Sequence, residues 1–78
     1  MPKLRVFSTE SCHYCHALKE FLKENNIDFE DIDVSIDKNA LSEMVEKSGQ
    51  MGVPVVEING NFIVGFDREK IKNLLNIK

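Results

Sequence analysis

Two of the 78 residues are cysteines, and they fall at Cys12 and Cys15 within Cys12-His13-Tyr14-Cys15-His16. Thiols at this spacing can cycle between dithiol and disulfide, supply half of a tetrahedral metal set, or carry a haem. As a structural staple the pair would contribute little, because so short a loop barely restricts the unfolded chain, and small disulfide scaffolds usually hold four or more cysteines. Exchange makes the sharpest demand on the surroundings. A thiol attacks a disulfide only as thiolate, and a cysteine with pKa near ~8.5 is mostly protonated at neutral pH, so the site must hold the anion. Two rivals stand beside this reading. Cys-x-x-Cys-His is also the pattern of c-type haem attachment, against which stand a β-prone lead-in and an N-terminus, Met1-Pro2-Lys3-Leu4-Arg5, without the apolar stretch of an export signal. A Soret band would decide for haem. Zinc would find Cys12, Cys15 and His13 or His16, but no second Cys/His pair elsewhere. A metal-free sample that folds normally would exclude it.

The elements that must position the thiols are legible around them. Leu4-Arg5-Val6-Phe7 is a β-prone run ending at the polar Ser8-Thr9-Glu10-Ser11. From Cys12 onward Ala17, Leu18, Phe21 and Leu22 recur at helical spacing until Asn25-Asn26. Cys12 thus falls at a strand-to-helix junction, where unpaired N–H groups and the positive dipole end favour an anion. Thiols so placed in known Cys-x-x-Cys sites ionise at roughly 3.5–7.5. Cys15 lies one turn inward on the same side, partly covered by the helix. The asymmetry makes Cys12 the attacking thiol and Cys15 the one that resolves the mixed disulfide. Glu10 opposes the thiolate, and His13 or His16, when protonated, would favour it; a solvated helix position is the simpler reading of each histidine.

Further along, Phe29–Val34 reads as an edge strand bearing acids on its other face. Ala40, Leu41, Met44 and Val45 form a second helical stripe, capped by Asp37 or Asn39 and stopped by Gly49. Val55–Ile58 and Phe62–Val64 flank Asn59-Gly60, a strong type I′ hairpin signal. Asp67 can cap a last helix whose inner face is Ile71, Leu74 and Leu75. The order is β-α-β-α-β-β-α: one α/β domain spanning residues 1–78, with a mixed four-stranded sheet covered by three helices. Pro54 marks the passage from loop to strand, since it cannot donate to a ladder; on the residues alone the Val53-Pro54 bond is an ordinary trans turn.

Composition narrows the classes of function. The net charge is −3, and between Ile27 and Met51 the acids Asp28, Glu30, Asp31, Asp33, Asp37, Glu43 and Glu46 face only Lys38 and Lys47. No basic stripe offers itself to phosphates, so nucleic acid is not expected as a partner; the acids read as a solvated face. No apolar run approaches the roughly 20 residues that span a bilayer, so no membrane is expected and the cytoplasm is the expected compartment. No segment is biased enough to suggest a tail or linker, so an ordered chain is expected throughout.

Cys12-His13-Tyr14-Cys15 after a first strand, Val53-Pro54 before the hairpin and Val64-Gly65-Phe66-Asp67 before the last helix together resemble the glutaredoxins. Gly49-Gln50-Met51-Gly52-Val53-Pro54-Val55 followed by Gly65-Phe66-Asp67 is similar to the short glutaredoxin-like proteins of anaerobic bacteria and archaea. The resemblance covers essentially the whole chain and implies a thioredoxin-like fold. It implies that Cys12 is the exposed nucleophile, Cys15 the resolving thiol, and that Tyr14 lines the groove. It also implies a cis Val53-Pro54 bond, which would offer the Val53 backbone to an extended cysteinyl peptide as if to an added strand. Gly65, Phe66 and Asp67 resemble the segment whose amides receive the γ-glutamyl carboxylate of glutathione.

The sequence departs from the glutathione pattern at four places: Ser8-Thr9 replaces a lysine, His13 a proline, Val64-Gly65 a double glycine and Arg68 an acid. Expected is a monomeric reductase of glutathione mixed disulfides or protein disulfides, without bound metal or cofactor. Its co-substrate would be glutathione, with thioredoxin reductase the alternative electron donor. Its rival is a carrier in which two chains hold an iron–sulfur cluster through Cys12 and two glutathione thiols.

Overall fold

The computed structural model describes residues 4–76; the expectation of order at residues 1–3 and 77–78 lies outside the described residues. The seven elements follow in the expected order. Strand β1 (Leu4–Ser8) alternates, with Leu4 and Val6 toward one face of the sheet and Arg5 and Phe7 toward the other. Helix α1 (His13–Glu24) buries Cys15, Leu18 and Leu22, with Phe21 half-buried. Ala17, expected on that stripe, is exposed. At about 100° per residue it stands outside the arc that Cys15, Leu18 and Leu22 share.

Strand β2 (Glu30–Asp33) runs parallel to β1 and ends where Asp33 Oδ1 accepts the Ser35 amide at 2.9 Å and turns the chain. Helix α2 (Lys38–Ser48) is capped by Asp37, whose carboxylate accepts the Ala40 N–H at 3.0 Å, so the cap is Asp37 and not Asn39. Gly49 stops it at φ 78°, a left-handed position open to glycine. Strands β3 (Val55–Ile58) and β4 (Asn61–Val64) are joined through Asn59 and Gly60 at φ 50° and 89°, as a type I′ turn requires. Helix α3 (Arg68–Leu75) starts at Asp67, which accepts the Lys70 N–H at 3.2 Å.

The sheet order is β2-β1-β3-β4, parallel only between β1 and β2, which makes β2 the expected edge strand and β1 a central one. On one face Leu4, Val6, Val56, Ile58 and Ile63 meet Leu18 and Leu22 of α1 and Ile71 of α3. On the other, Phe7, Val34 and Val55 meet Ala40 and Met44 of α2. Each fully buried aliphatic contributes about 1.5–3 kcal/mol, so these two clusters set the sheet and, with it, the loop that β1 carries. Leu74 does not join the core as expected but stays exposed, whereas Leu75 packs against it. From Ile71 the fourth residue turns about 40° one way and the third about 60° the other, and the sheet lies only on the first side. Among the described residues no helix is long and apolar enough to cross a membrane.

Candidate active site

β1 ends at Ser8, and the next residues form a tight turn in which the Cys12 N–H donates to the Thr9 carbonyl at 3.3 Å. Cys12 is extended (φ −89°, ψ 111°) and is the N-cap of α1, its sulfur accepting the Cys15 N–H at 3.1 Å. An oxygen of Ser, Thr, Asp or Asn usually takes that place. Here a sulfur takes it, so a backbone donor and the positive end of the helix dipole are aimed at the atom that would carry thiolate charge. Cys15 sits in the first turn with 0% exposure. Burial is the main cause that pushes its thiol from the ordinary value near 9 up to about 12, with Cys12 adding to the rise and the Thr9 backbone and the Lys19 ammonium opposing it. Both thiols are free.

The Val53-Pro54 bond is cis. This corrects the trans turn that the residues alone suggest and agrees with the resemblance; general frequencies of X-Pro bonds carry no information about the neighbours that surround this one. Those neighbours are the site itself. The Cys12 thiol donates to the Val53 carbonyl at 3.8 Å, and the Gly65 N–H donates to the Pro54 carbonyl at 2.9 Å. Pro54 is buried immediately ahead of β3, where its missing N–H removes nothing from the ladder.

The structure therefore joins Cys12, Cys15, Val53, Pro54 and Gly65 through direct contacts. Gly65, at φ 80°, turns the chain toward α3. Phe66 packs its ring on Phe21 of α1 at 5.6 Å between centroids, and the Arg68 guanidinium lies 5.2 Å above Phe66 and 5.6 Å above Phe21. The Asp67 carboxylate is engaged in capping α3. Tyr14 stands 72% exposed on the first turn of α1. His13 is exposed, matching the simple solvated reading, but His16 has a partner: its Nε2 lies 2.8 Å from the Glu10 carbonyl. A carbonyl only accepts, so that nitrogen carries a proton and ties α1 to the turn before Cys12.

Four contributing residues lie outside the sequence motifs. Thr9 acts through its main chain, for which its side chain gives no signal. Lys19, four residues after Cys15 on one helix, was legible as a neighbour one turn away. Ser8 and Asp31, bonded at 3.0 Å, meet only once β1 and β2 pair.

A family model described as glutaredoxin matches residues 4–63. The glutaredoxin-like 8.6 kDa protein in the rubredoxin operon of Clostridium pasteurianum is 44% identical over 72 residues, 92% of this chain and 96% of that one. Among solved structures, a point variant of the thioredoxin-like protein BC3987 superposes with a TM-score of 0.92 at 37% identity, covering 100% of both chains. The glutaredoxin-like NrdH-redoxin of Escherichia coli, described as having a thioredoxin-like activity profile, gives 0.81 at 28% identity over 92% of this chain and 93% of its own. With the dithiol at the head of α1 and these likenesses over nearly its full length, the chain belongs to the glutaredoxin family of thiol–disulfide oxidoreductases.

Proposed function

We propose that this protein reduces glutathione mixed disulfides and protein disulfides through a dithiol cycle, with Cys12 attacking and Cys15 resolving. The observation that carries the reading is the division between the two sulfurs: one at the helix cap facing an amide, the other buried one turn behind it. The Cys12 thiolate attacks one sulfur of a substrate disulfide; a Cys12–substrate S–S bond forms, and the other substrate sulfur leaves with the electron pair and takes up a proton. Cys15 loses its proton and attacks the Cys12 sulfur, forming Cys12–Cys15. The second substrate sulfur departs as thiolate and takes up a proton in turn. Two electrons have then passed from the dithiol to the substrate. An extended substrate would pair with the Val53 backbone beside Cys12, as an added strand does. Tyr14 would border it from α1, and the amides of Phe66 and Asp67 would face a terminal carboxylate.

The test is a disulfide-reduction assay with single-thiol variants. Cys12→Ser is expected to abolish turnover, and Cys15→Ser to accumulate the mixed disulfide or keep only single-thiol deglutathionylation. A Cys12→Ser protein as fast as the parent would refute the assignment.

A second reading concerns the electron donor. The Gly65 amide is already bonded to Pro54, and the Arg68 guanidinium rests on two rings, so fewer groups await the carboxylates of glutathione than the family pattern implies. The likeness to a redoxin with a thioredoxin-like activity profile points the same way. An NADPH-coupled assay run with glutathione plus glutathione reductase, and separately with thioredoxin reductase, identifies the donor by the faster rate.

A further inference from the structure

Cys15 is buried, and its thiol is pushed up to about 12, yet in the proposed cycle it must attack as a thiolate. One group on its own helix can meet that charge. Lys19 stands four residues on, one turn away on the same side of α1. A surface lysine keeps a freely moving stem in water; this one is only 16% exposed along its side chain. Its Nζ lies 2.9 Å from Asp31 Oδ2, and the other carboxylate oxygen of Asp31 accepts the hydroxyl of Ser8 at 3.0 Å. Ser8 is itself buried, at the end of β1 immediately before the turn that leads to Cys12. The ammonium is thus fixed from the sheet side by a chain of bonds rooted in the β1–β2 register.

The charged and titratable groups around Cys15 come from three elements. α1 and its cap supply Lys19 and Cys12, the turn after β1 supplies the Thr9 backbone, and β2 supplies Asp31, which pairs with Lys19, and Asp33, whose carboxylate the Lys19 charge favours. Lys19 is the cation of this set, and its effect on the Cys15 sulfur opposes that of burial.

We infer that Lys19, held by Asp31 and Ser8, is a positioning residue for the resolving step, its ammonium stabilising negative charge on the Cys15 sulfur as Cys15 attacks the mixed disulfide. The inference rests on the thiol–disulfide reading above. In the step, the Cys15 sulfur bonds to Cys12 and the Cys12–substrate bond breaks. The electron pair leaves on the substrate sulfur, and the proton lost by Cys15 is taken up there. Lys19 remains an ammonium throughout. Asp31 does no chemistry; it keeps the lysine from turning out to solvent.

The two steps separate with 5,5′-dithiobis(2-nitrobenzoic acid) mixed with the reduced protein in a stopped-flow instrument. Attack by Cys12 releases one coloured thiolate, and resolution by Cys15 releases the second. Lys19→Met, which keeps the stem and removes the charge, is expected to slow the second release by about three- to tenfold, as loss of a nearby opposite charge does. The first release should stay within about twofold of the parent. The pH profile of the second phase should move to higher pH, because the lost cation favoured the ionised sulfur. Lys19→Arg should restore the parent rate. A second phase unchanged in Lys19→Met, both phases slowed by one factor, or Lys19→Arg as slow as Lys19→Met would each overturn the inference. A parent that showed no first phase would remove the thiol–disulfide reading itself, and this inference with it.

Discussion

The division between the sulfurs makes a quantitative prediction about alkylation. At pH 7 a thiol that ionises at about 12 is charged in about one molecule in 10⁵, against roughly one in 10² for an ordinary cysteine. Iodoacetamide reacts through the thiolate, so Cys15 should be alkylated about 10³-fold more slowly than an ordinary exposed thiol, before its lack of exposure slows access further. Reduced protein treated with a small excess of reagent at pH 7, quenched at intervals and digested, should show label on Cys12 alone until that site is full. Between pH 7 and 10 the Cys15 rate should climb about tenfold per unit, as the thiolate fraction does. In denaturant the difference between the two should vanish, since burial, not local sequence, is its main cause. Native protein in which Cys15 is labelled within about tenfold of Cys12 would refute the reasoning.

The raised Cys15 ionisation also has a sign for stability. A buried neutral thiol holds its proton more tightly in the folded state, so that contribution is complete below about 9 and is lost as pH rises toward about 12. Urea melts of the reduced parent should therefore weaken more steeply between pH 9 and 11 than those of Cys15→Ala; parallel curves would contradict it. Arg5→Met should cost about 2–4 kcal/mol of the roughly 4–12 available to a chain of this length, because Glu57 is left mostly buried without its partner. A loss under about 1 kcal/mol in the same melts would show that pair to be dispensable. Asp37→Ala should lower stability by about 0.5–2 kcal/mol through the lost cap of α2 while disulfide reduction stays at the parent rate; a fall in reduction would tie α2 to the site.

Most of the fold was legible because its signals are local. The change from a β-prone run at Leu4–Phe7 to helical spacing after Cys12 located the junction, and Asn59-Gly60 located the hairpin. Helix caps were legible for the same reason, as Asp67 shows, and where two residues competed the carboxylate at Asp37 took the amide. What was not legible depends on residues far apart in the chain. Arg5 reaches Glu43 on α2 at 2.7 and 2.9 Å and Glu57 on β3, and only the register that sets Arg5 opposite Glu57 brings them together. The isomer at Pro54 belongs to the same class, since its surroundings come from Cys12 at the head of α1 and Gly65 before α3. Leu74 was misplaced for a different reason: helical spacing marks a stripe, and tertiary packing decides which edge of the stripe is covered.

The candidate site was legible in its thiols and in the asymmetry that divides their roles, and obscure in the partners that refine it. A three-residue offset alone predicts two sulfurs on one side; the strand-to-helix junction at Cys12 is what adds the asymmetry between them. The difference arises because the cap residue of a helix is extended and open while the residue three later is already part of the packed face. In this chain that face carries Leu18 and Leu22, which pack against Leu4, Val6 and Val56 of the sheet. Moving the pair one residue toward the C-terminus would place the first cysteine inside the helix, with its amide no longer aimed at a sulfur. The junction between β1 and α1 is therefore what converts a repeated residue into two roles, and the partners that refine them, Thr9, Val53 and Lys19, each arrive from a different element of the fold.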